Sequence, residues 1–170
     1  ALLSLAHERS RYMLPFGGRF RVVDFTLRNS FSCGARSTII YNDREDGLGE
    51  YVDKYGPFSD QRFPPVKVVT REFSDINFCY NLILDSNTEY YIIYSGDNPC
   101  LMDFRDIMKR YNASRGGARL FMLEIDGRPT MAYKILVTDQ KTLLEVVNQA
   151  IEEERKSPNI FEMVINMMIN

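Results

Sequence analysis

The residue best placed to do chemistry is Asp97. It follows Tyr90 to Tyr94, an unbroken β-prone run, and comes directly after Ser95-Gly96, where a glycine lets the backbone bend. A carboxylate at the carboxyl end of a buried strand can coordinate Mg²⁺ and orient nucleotide phosphates. The same residue type also caps helices, although Asp103 is better placed for the helix that follows, and the residues alone leave both readings open. A second cluster, Arg9, Arg11, Arg19 and Arg21, flanks Pro15-Phe16-Gly17-Gly18. Guanidinium groups pair with phosphate through planar double hydrogen bonds, and Gly17 and Gly18 permit close backbone approach, so this is a candidate phosphate or sugar-phosphate site. A tight turn carrying solvated arginines explains the same residues and is the commoner outcome of such a pattern.

Other chemistries are disfavoured. His7 is the only histidine, so neither a histidine metal set nor a histidine-relayed nucleophile assembles. Cys33, Cys79 and Cys100 are widely spaced and contain no Cys-x-x-Cys pair, which speaks against a disulfide framework or a zinc site and for a reducing, cytoplasmic setting. The net charge of −2 provides no global field for nucleic acid. No stretch approaches the roughly 20 apolar residues of a membrane span. With 170 residues, 45% of them apolar and 26% charged, the chain is expected to form one soluble domain, and Ala1 is expected not to be the gene's start.

The elements that would position these residues alternate between strand and helix. Leu2 to Leu5, Thr38 to Tyr41, Val66 to Val69 and Tyr90 to Tyr94 predict strands, and His7 to Arg11 predicts a loop. Helices are predicted from an Asp24 N-cap to a Gly34 stop, from Leu48 to Tyr55, from Phe78 to Leu84 and from Asp103 to about Tyr111. Leu120 to Ile125 and Tyr133 to Val137 read as strands around Asp126-Gly127, a hairpin signal. Lys141 to Arg155 carries an apolar stripe of Leu143, Leu144, Val147 and Ile151, and Ile160 to Met168 predicts a last short helix whose methionines suit a core or an interface. This alternation predicts an α/β fold with a mostly parallel sheet flanked by helices.

The same segments carry a resemblance. Pro15-Phe16-Gly17-Gly18-Arg19-Phe20-Arg21-Val22-Val23-Asp24-Phe25, continued by Leu27, Asn29 and Cys33-Gly34, resembles the run that follows the Arg-Ala-Lys-Pro motif of ADP-glucose pyrophosphorylases (glucose-1-phosphate adenylyltransferases). Tyr91-Ile92-Ile93-Tyr94-Ser95-Gly96-Asp97, followed by Met102-Asp103-Phe104, resembles that family's strand ending in Ser-Gly-Asp-His. The resemblance implies a Rossmann-like nucleotidyltransferase domain over residues 1–170, incomplete, without the family's C-terminal left-handed β-helix. It also implies oligomeric assembly and conversion of ATP and glucose 1-phosphate to ADP-glucose and pyrophosphate in glycogen synthesis. Asp97 falls where the family places its catalytic, Mg²⁺-binding aspartate, and Arg11, Gly17, Gly18, Arg19 and Arg21 fall in its phosphate- and effector-binding segment.

The departures shape the expectation. Leu5 is followed by Ala6-His7-Glu8 rather than the glycine-rich loop that cradles ATP phosphates. Arg9-Ser10-Arg11-Tyr12 stands at Arg-Ala-Lys-Pro, Phe73-Ser74-Asp75 at a Gly-Thr-Ala segment, and Asn98 at the histidine after the aspartate. The sugar-phosphate lysine segment has no counterpart between Asp126-Gly127-Arg128 and Met131. The resemblance is therefore closest to the family's non-catalytic glycogen-operon subunit, binding ATP or sugar phosphate and a catalytic partner. One alternative is an active enzyme whose nucleotide and sugar loops are missing from these residues. Another is an assembly subunit that binds no ligand.

Overall fold

The structure is a computed structural model that describes residues 11–42, 45–60, 62–70, 76–96, 99–114, 116–153, 163–164 and 166–167. The predicted Leu2 to Leu5 strand, most of the loop to Arg11, Phe73-Ser74-Asp75, Asp97 and Asn98 lie outside the described residues. The chain divides into two compact units, residues 1–71 with 96–106, and residues 72–95 with 107–170.

In the first unit a 3₁₀ turn at Arg11–Met13 leads to strands β1 (Pro15–Phe16) and β2 (Phe20–Arg21), an antiparallel pair joined by Gly17-Gly18-Arg19. Helix α1 spans Val22–Ser32. It starts two residues before the predicted Asp24 cap, because the Arg21 backbone N–H donates to Asp24 Oδ2 at 2.7 Å, so Asp24 does its capping from inside the first turn. Strand β3 (Thr38–Asn42) pairs in parallel with β4 (Val66–Thr70), Thr38 opposite Val66 through Asn42 opposite Thr70. The crossover between them holds α2 (Leu48–Glu50), which runs into a π-helical turn at Tyr51–Tyr55. Val23 and Leu27 of α1 pack with Leu48, Tyr51, Val52 and Met13 to form this unit's core.

The second unit contains α3 (Ile76–Leu84), β5 (Tyr90–Tyr94), β6 (Ala118–Ile125), β7 (Arg128–Asp139) and α5 (Gln140–Glu152). Helix α4 (Phe104–Ala113) begins in the first unit and ends in the second. Strand β7 is central in a three-stranded sheet and pairs antiparallel with both β5 and β6. The expected α/β class and parallel strand pairing are present. Among the described residues, however, parallel pairing is confined to β3 and β4, because the Asp126-Gly127 turn forces β7 to run back along β6. Both turn residues have positive φ, +51° at Asp126 and +73° at Gly127, as a two-residue hairpin of type I′ requires. Met122 pairs with Lys134 while Leu123 pairs with Thr130, so residues 131–133 of β7 bulge out of register. Leu136, Leu143, Val147 and Val164 form the core of this unit. No described helix is long and apolar enough to cross a membrane, and no β-helix follows α5 among the described residues.

Candidate functional site

The 3₁₀ turn at Arg11–Met13 is followed by the short β1–β2 hairpin, which leads into α1. Gly17 and Gly18 sit at its tip with φ of +60° and +91°, conformations that suit glycine, and neither has an atom within 4 Å of where a Cβ would lie. Arg11 and Arg19 are exposed. The Arg19 guanidinium lies 5.4 Å from the centre of the Phe20 ring, close enough for a cation–π contact. Phe16, across the hairpin from Phe20, packs edge-on against Phe25 of α1 at 5.1 Å.

Arg21 differs from its neighbours. Its guanidinium donates to the Met13 carbonyl at 2.5 Å and lies 4.9 Å from the centre of the Tyr51 ring. Tyr51 in turn donates its phenol proton to Asp24 Oδ2 at 2.8 Å, the same oxygen that accepts the Arg21 backbone N–H. Asp24 is 3% exposed and its other oxygen, Oδ1, has no hydrogen-bond partner among the described residues. Burial therefore pushes the Asp24 carboxyl above the ordinary aspartate range, and the Arg21 N–H, the Tyr51 phenol and the Arg21 charge only partly offset it. Burial, followed by the hydrogen bond and charge of Asp24, raises the Tyr51 phenol.

Helix α1 presents a second polar face to Gly96, Cys100 and Met102. Thr26 Oγ1 donates to the Gly96 carbonyl at 3.1 Å. Asn29 Nδ2 donates to the Cys100 carbonyl at 2.9 Å, while Asn29 Oδ1 accepts the Met102 backbone N–H at 3.0 Å. Thr26 and Asn29 are three residues apart and so share one helix face. Immediately afterwards Asp103 Oδ1 accepts the Arg105 N–H at 3.0 Å at the start of α4, the capping role its sequence position suggested. Asp97 itself lies outside the described residues, with Gly96 and Pro99 as its described flanks.

Mg²⁺ needs only one or two carboxylates when phosphate and water complete its shell. Among the described residues no three His, Cys, Asp or Glu side chains gather to hold a metal ion. The second unit has an open cleft lined by Glu89, Tyr90, Tyr111, Asn112, Ser114, Gly116 and Asp139, none of which sequence reasoning singled out as a site residue. Its polar groups are engaged internally: Tyr111 donates to the Gly117 carbonyl at 2.7 Å, and Asp139 accepts from Gly117 and Thr142. The residues that sequence reasoning missed are Thr26, Asn29 and Tyr51. The available signal was polar side chains spaced three apart on a helix whose neighbours, Val23 and Leu27, are apolar.

No protein-family profile matches the chain. Among curated proteins it is similar to glucose-1-phosphate adenylyltransferases. It is 22% identical to isozyme 2 of Vibrio vulnificus (strain CMCP6) over 94% of this chain and 42% of that one. It is 25% identical to the Bacillus cytotoxicus protein over 92% and 44%, and 24% identical to that of Geobacillus stearothermophilus over 96% and 46%. The chain thus spans less than half the length of these relatives. Among solved structures it superposes on one assigned as a glucose-1-phosphate thymidylyltransferase of Bacillus anthracis, in complex with a sucrose, with a TM-score of 0.62 at 16% identity over 90% of this chain and 70% of the other. The fold is a nucleotidyltransferase fold. A 4-diphosphocytidyl-2C-methyl-D-erythritol synthase of Anaerococcus prevotii shares it, with a TM-score of 0.56 at 15% identity over 89% of this chain and 76% of that one.

Proposed function

We propose that this chain is part of a glucose-1-phosphate adenylyltransferase-type subunit of glycogen synthesis, cytoplasmic and of the regulatory or weakly active kind. In this reading residues 1–170 form one incomplete nucleotidyltransferase domain that binds ATP or a sugar phosphate and assembles with a catalytic subunit. The observation that carries it is that α1 holds the Gly96 carbonyl before residue 97 in the sequence and the Cys100 carbonyl and Met102 N–H after it. The similarity to adenylyltransferases at 22–25% identity supports the nucleotide class. The absence of glycine after Leu5 supports weak activity, since backbone amides freed by glycine are what cradle ATP phosphates.

Mg²⁺, when bound, would neutralise phosphate charge beside Asp97, and the chain's own contribution is to position that carboxylate. Arg19, exposed on the hairpin with Gly17 and Gly18, and Arg11, exposed in the 3₁₀ turn before it, are the guanidinium groups that would meet an anionic effector or phosphate. Arg21, held by Met13 and Tyr51, contributes to that site by fixing the hairpin against α1.

The test is pyrophosphate release from ATP and glucose 1-phosphate by the purified full-length protein, alone and mixed with a catalytic subunit from the same cell. Little release alone, with altered rate or effector response in the mixture, is the expected result. Robust release alone that Asp97→Asn abolishes would establish the active enzyme instead. Absence of any calorimetric binding of ATP or glucose 1-phosphate, with no effect on a partner, would leave an assembly role without a ligand.

A further inference from the structure

We propose that Tyr51 is a positioning residue for the candidate anion site: together with Asp24 it holds Arg21, and Arg21 locks the 3₁₀ turn bearing Arg11 to the hairpin bearing Arg19. The role rests on the phosphate-binding reading of those two arginines given above, because it supplies the reason for fixing them relative to each other.

The hairpin does not hold itself in place. Its strands are two residues each, an isolated two-stranded ribbon is marginal in water, and Pro15, opposite Arg21, has no N–H for the ladder. The position of Arg19 is therefore decided by anchors at the base of the hairpin. One is Phe16 against Phe25 of α1. The other is Arg21, which sends its backbone and its side chain to different elements. Its N–H donates to Asp24 Oδ2 at 2.7 Å in the first turn of α1, and its guanidinium donates to the Met13 carbonyl at 2.5 Å, two residues on from Arg11. The Val22 N–H adds a bond to the Leu14 carbonyl at 3.2 Å, so neighbouring residues join the turn to the base of the hairpin.

Tyr51 aims the guanidinium. Its ring centre lies 4.9 Å from the guanidinium carbon, and its phenol donates at 2.8 Å to the same Asp24 oxygen that accepts the Arg21 N–H. One carboxylate oxygen thus ties the base of the hairpin to the π-helical turn at Tyr51–Tyr55. As packing alone the arrangement is costly. Asp24 is 3% exposed and its Oδ1 has no hydrogen-bond partner among the described residues, whereas apolar side chains would fill the volume without that demand. What the polar trio adds is direction, because a planar fork bonded to a carbonyl and stacked on a ring is held in orientation as well as in place. A phosphate that meets both Arg11 and Arg19 binds more tightly when their elements are joined beforehand, since ordering them on binding subtracts from affinity.

The experiment titrates the full-length protein with inorganic phosphate at constant ionic strength, following the amide NMR shifts of Gly17, Gly18 and Arg19, and measures hydrogen exchange of the Val22 amide as the readout of the joint. In Tyr51→Leu the phosphate dissociation constant is expected to rise about fivefold, the upper end of what one exposed cation–π contact carries, with Val22 exchange faster by a similar factor. Tyr51→Phe keeps the ring under Arg21 and is expected to bring the affinity back to within about twofold of the wild type. Arg21→Lys keeps the charge but not the planar fork, so it is expected to weaken phosphate as Tyr51→Leu does, and it decides the matter if Tyr51→Leu does not fold. Wild-type phosphate affinity in folded Tyr51→Leu or in Arg21→Lys, or a loss in Tyr51→Leu that Tyr51→Phe fails to restore, overturns the positioning role alone. Wild-type protein that shows no phosphate-dependent shifts at the hairpin, or shifts that survive Arg11→Ala combined with Arg19→Ala, overturns the anion reading and the positioning role together.

Discussion

Two aspartates stand at the starts of two helices and are treated in opposite ways. Asp139 precedes α5 and spreads three donors over both oxygens: the Thr142 N–H at 2.8 Å on Oδ1, and the Thr142 hydroxyl at 3.0 Å and the Gly117 N–H at 3.1 Å on Oδ2. Asp24, inside α1, receives two donors on one oxygen and, among the described residues, none on the other. Burial pushes the Asp139 carboxyl up, but the Thr142 and Gly117 bonds outweigh it and hold the group below the ordinary range, whereas burial prevails at Asp24. The contrast shows that a helix-start carboxylate stabilises only when donors match its lone pairs. Asp139 is a cap that secures a scaffold helix. Asp24 is a costly group that ties the hairpin, α1 and Tyr51 together beside the candidate anion site.

Asp139→Ala should have the largest effect on this comparison. It removes the cap of α5 and leaves the Gly117 N–H without its acceptor, a loss of about 2–3 kcal/mol in urea unfolding. A change below about 0.5 kcal/mol would mean that water replaces the carboxylate freely and that its three bonds carry little.

Tyr51→Phe comes next. It deletes the only side-chain donor to Asp24 among the described residues and leaves Oδ2 with the Arg21 N–H, which should cost about 1–2 kcal/mol and raise the Asp24 carboxyl further. Urea unfolding at neutral pH measures the first effect, and carboxyl ¹³C shifts followed against pH measure the second. An unmoved Asp24 titration would show that the phenol bond does not help hold the charge.

How far the sequence was legible follows the range of the interactions. The β5 run, the Asp126-Gly127 turn and the apolar stripe of α5 are local patterns and reappear with boundaries a few residues apart. The antiparallel pairing of β5 with β7 was not legible, because Tyr90 meets Asp139 only through tertiary structure. The same holds for the site. Gly17 and Gly18 were legible by turn chemistry, while Asp97, read from strand, glycine and carboxylate order, lies outside the described residues. The Asn29 bonds join residues 71 and 73 positions apart, and no local pattern announces them. Arg21 read as one of several phosphate ligands, since nothing in its neighbourhood reveals that Tyr51, thirty positions on, lies under its guanidinium.

Asp24→Asn should have the smallest effect at any one pH, within about 1 kcal/mol, because the amide oxygen can still accept from Arg21 and Tyr51. Its value lies in the pH dependence. The folded Asp24 carboxyl titrates above the ordinary 3.8, so the stability it contributes is complete below that pH and is lost as pH rises through the folded value. Asp139 has the reverse sign: its contribution is present above 3.8 and is lost as pH falls through its lowered folded value. Urea midpoints recorded from below pH 3.8 to neutrality should therefore show Asp24→Asn gaining on the wild type as pH rises, while Asp139→Asn falls behind it over the acid limb. If Asp24→Asn instead loses ground with rising pH, the unpaired Oδ1 must be satisfied in solution. Asp24 would then be a second stabilising cap, and burial with too few donors would no longer separate the two helix starts.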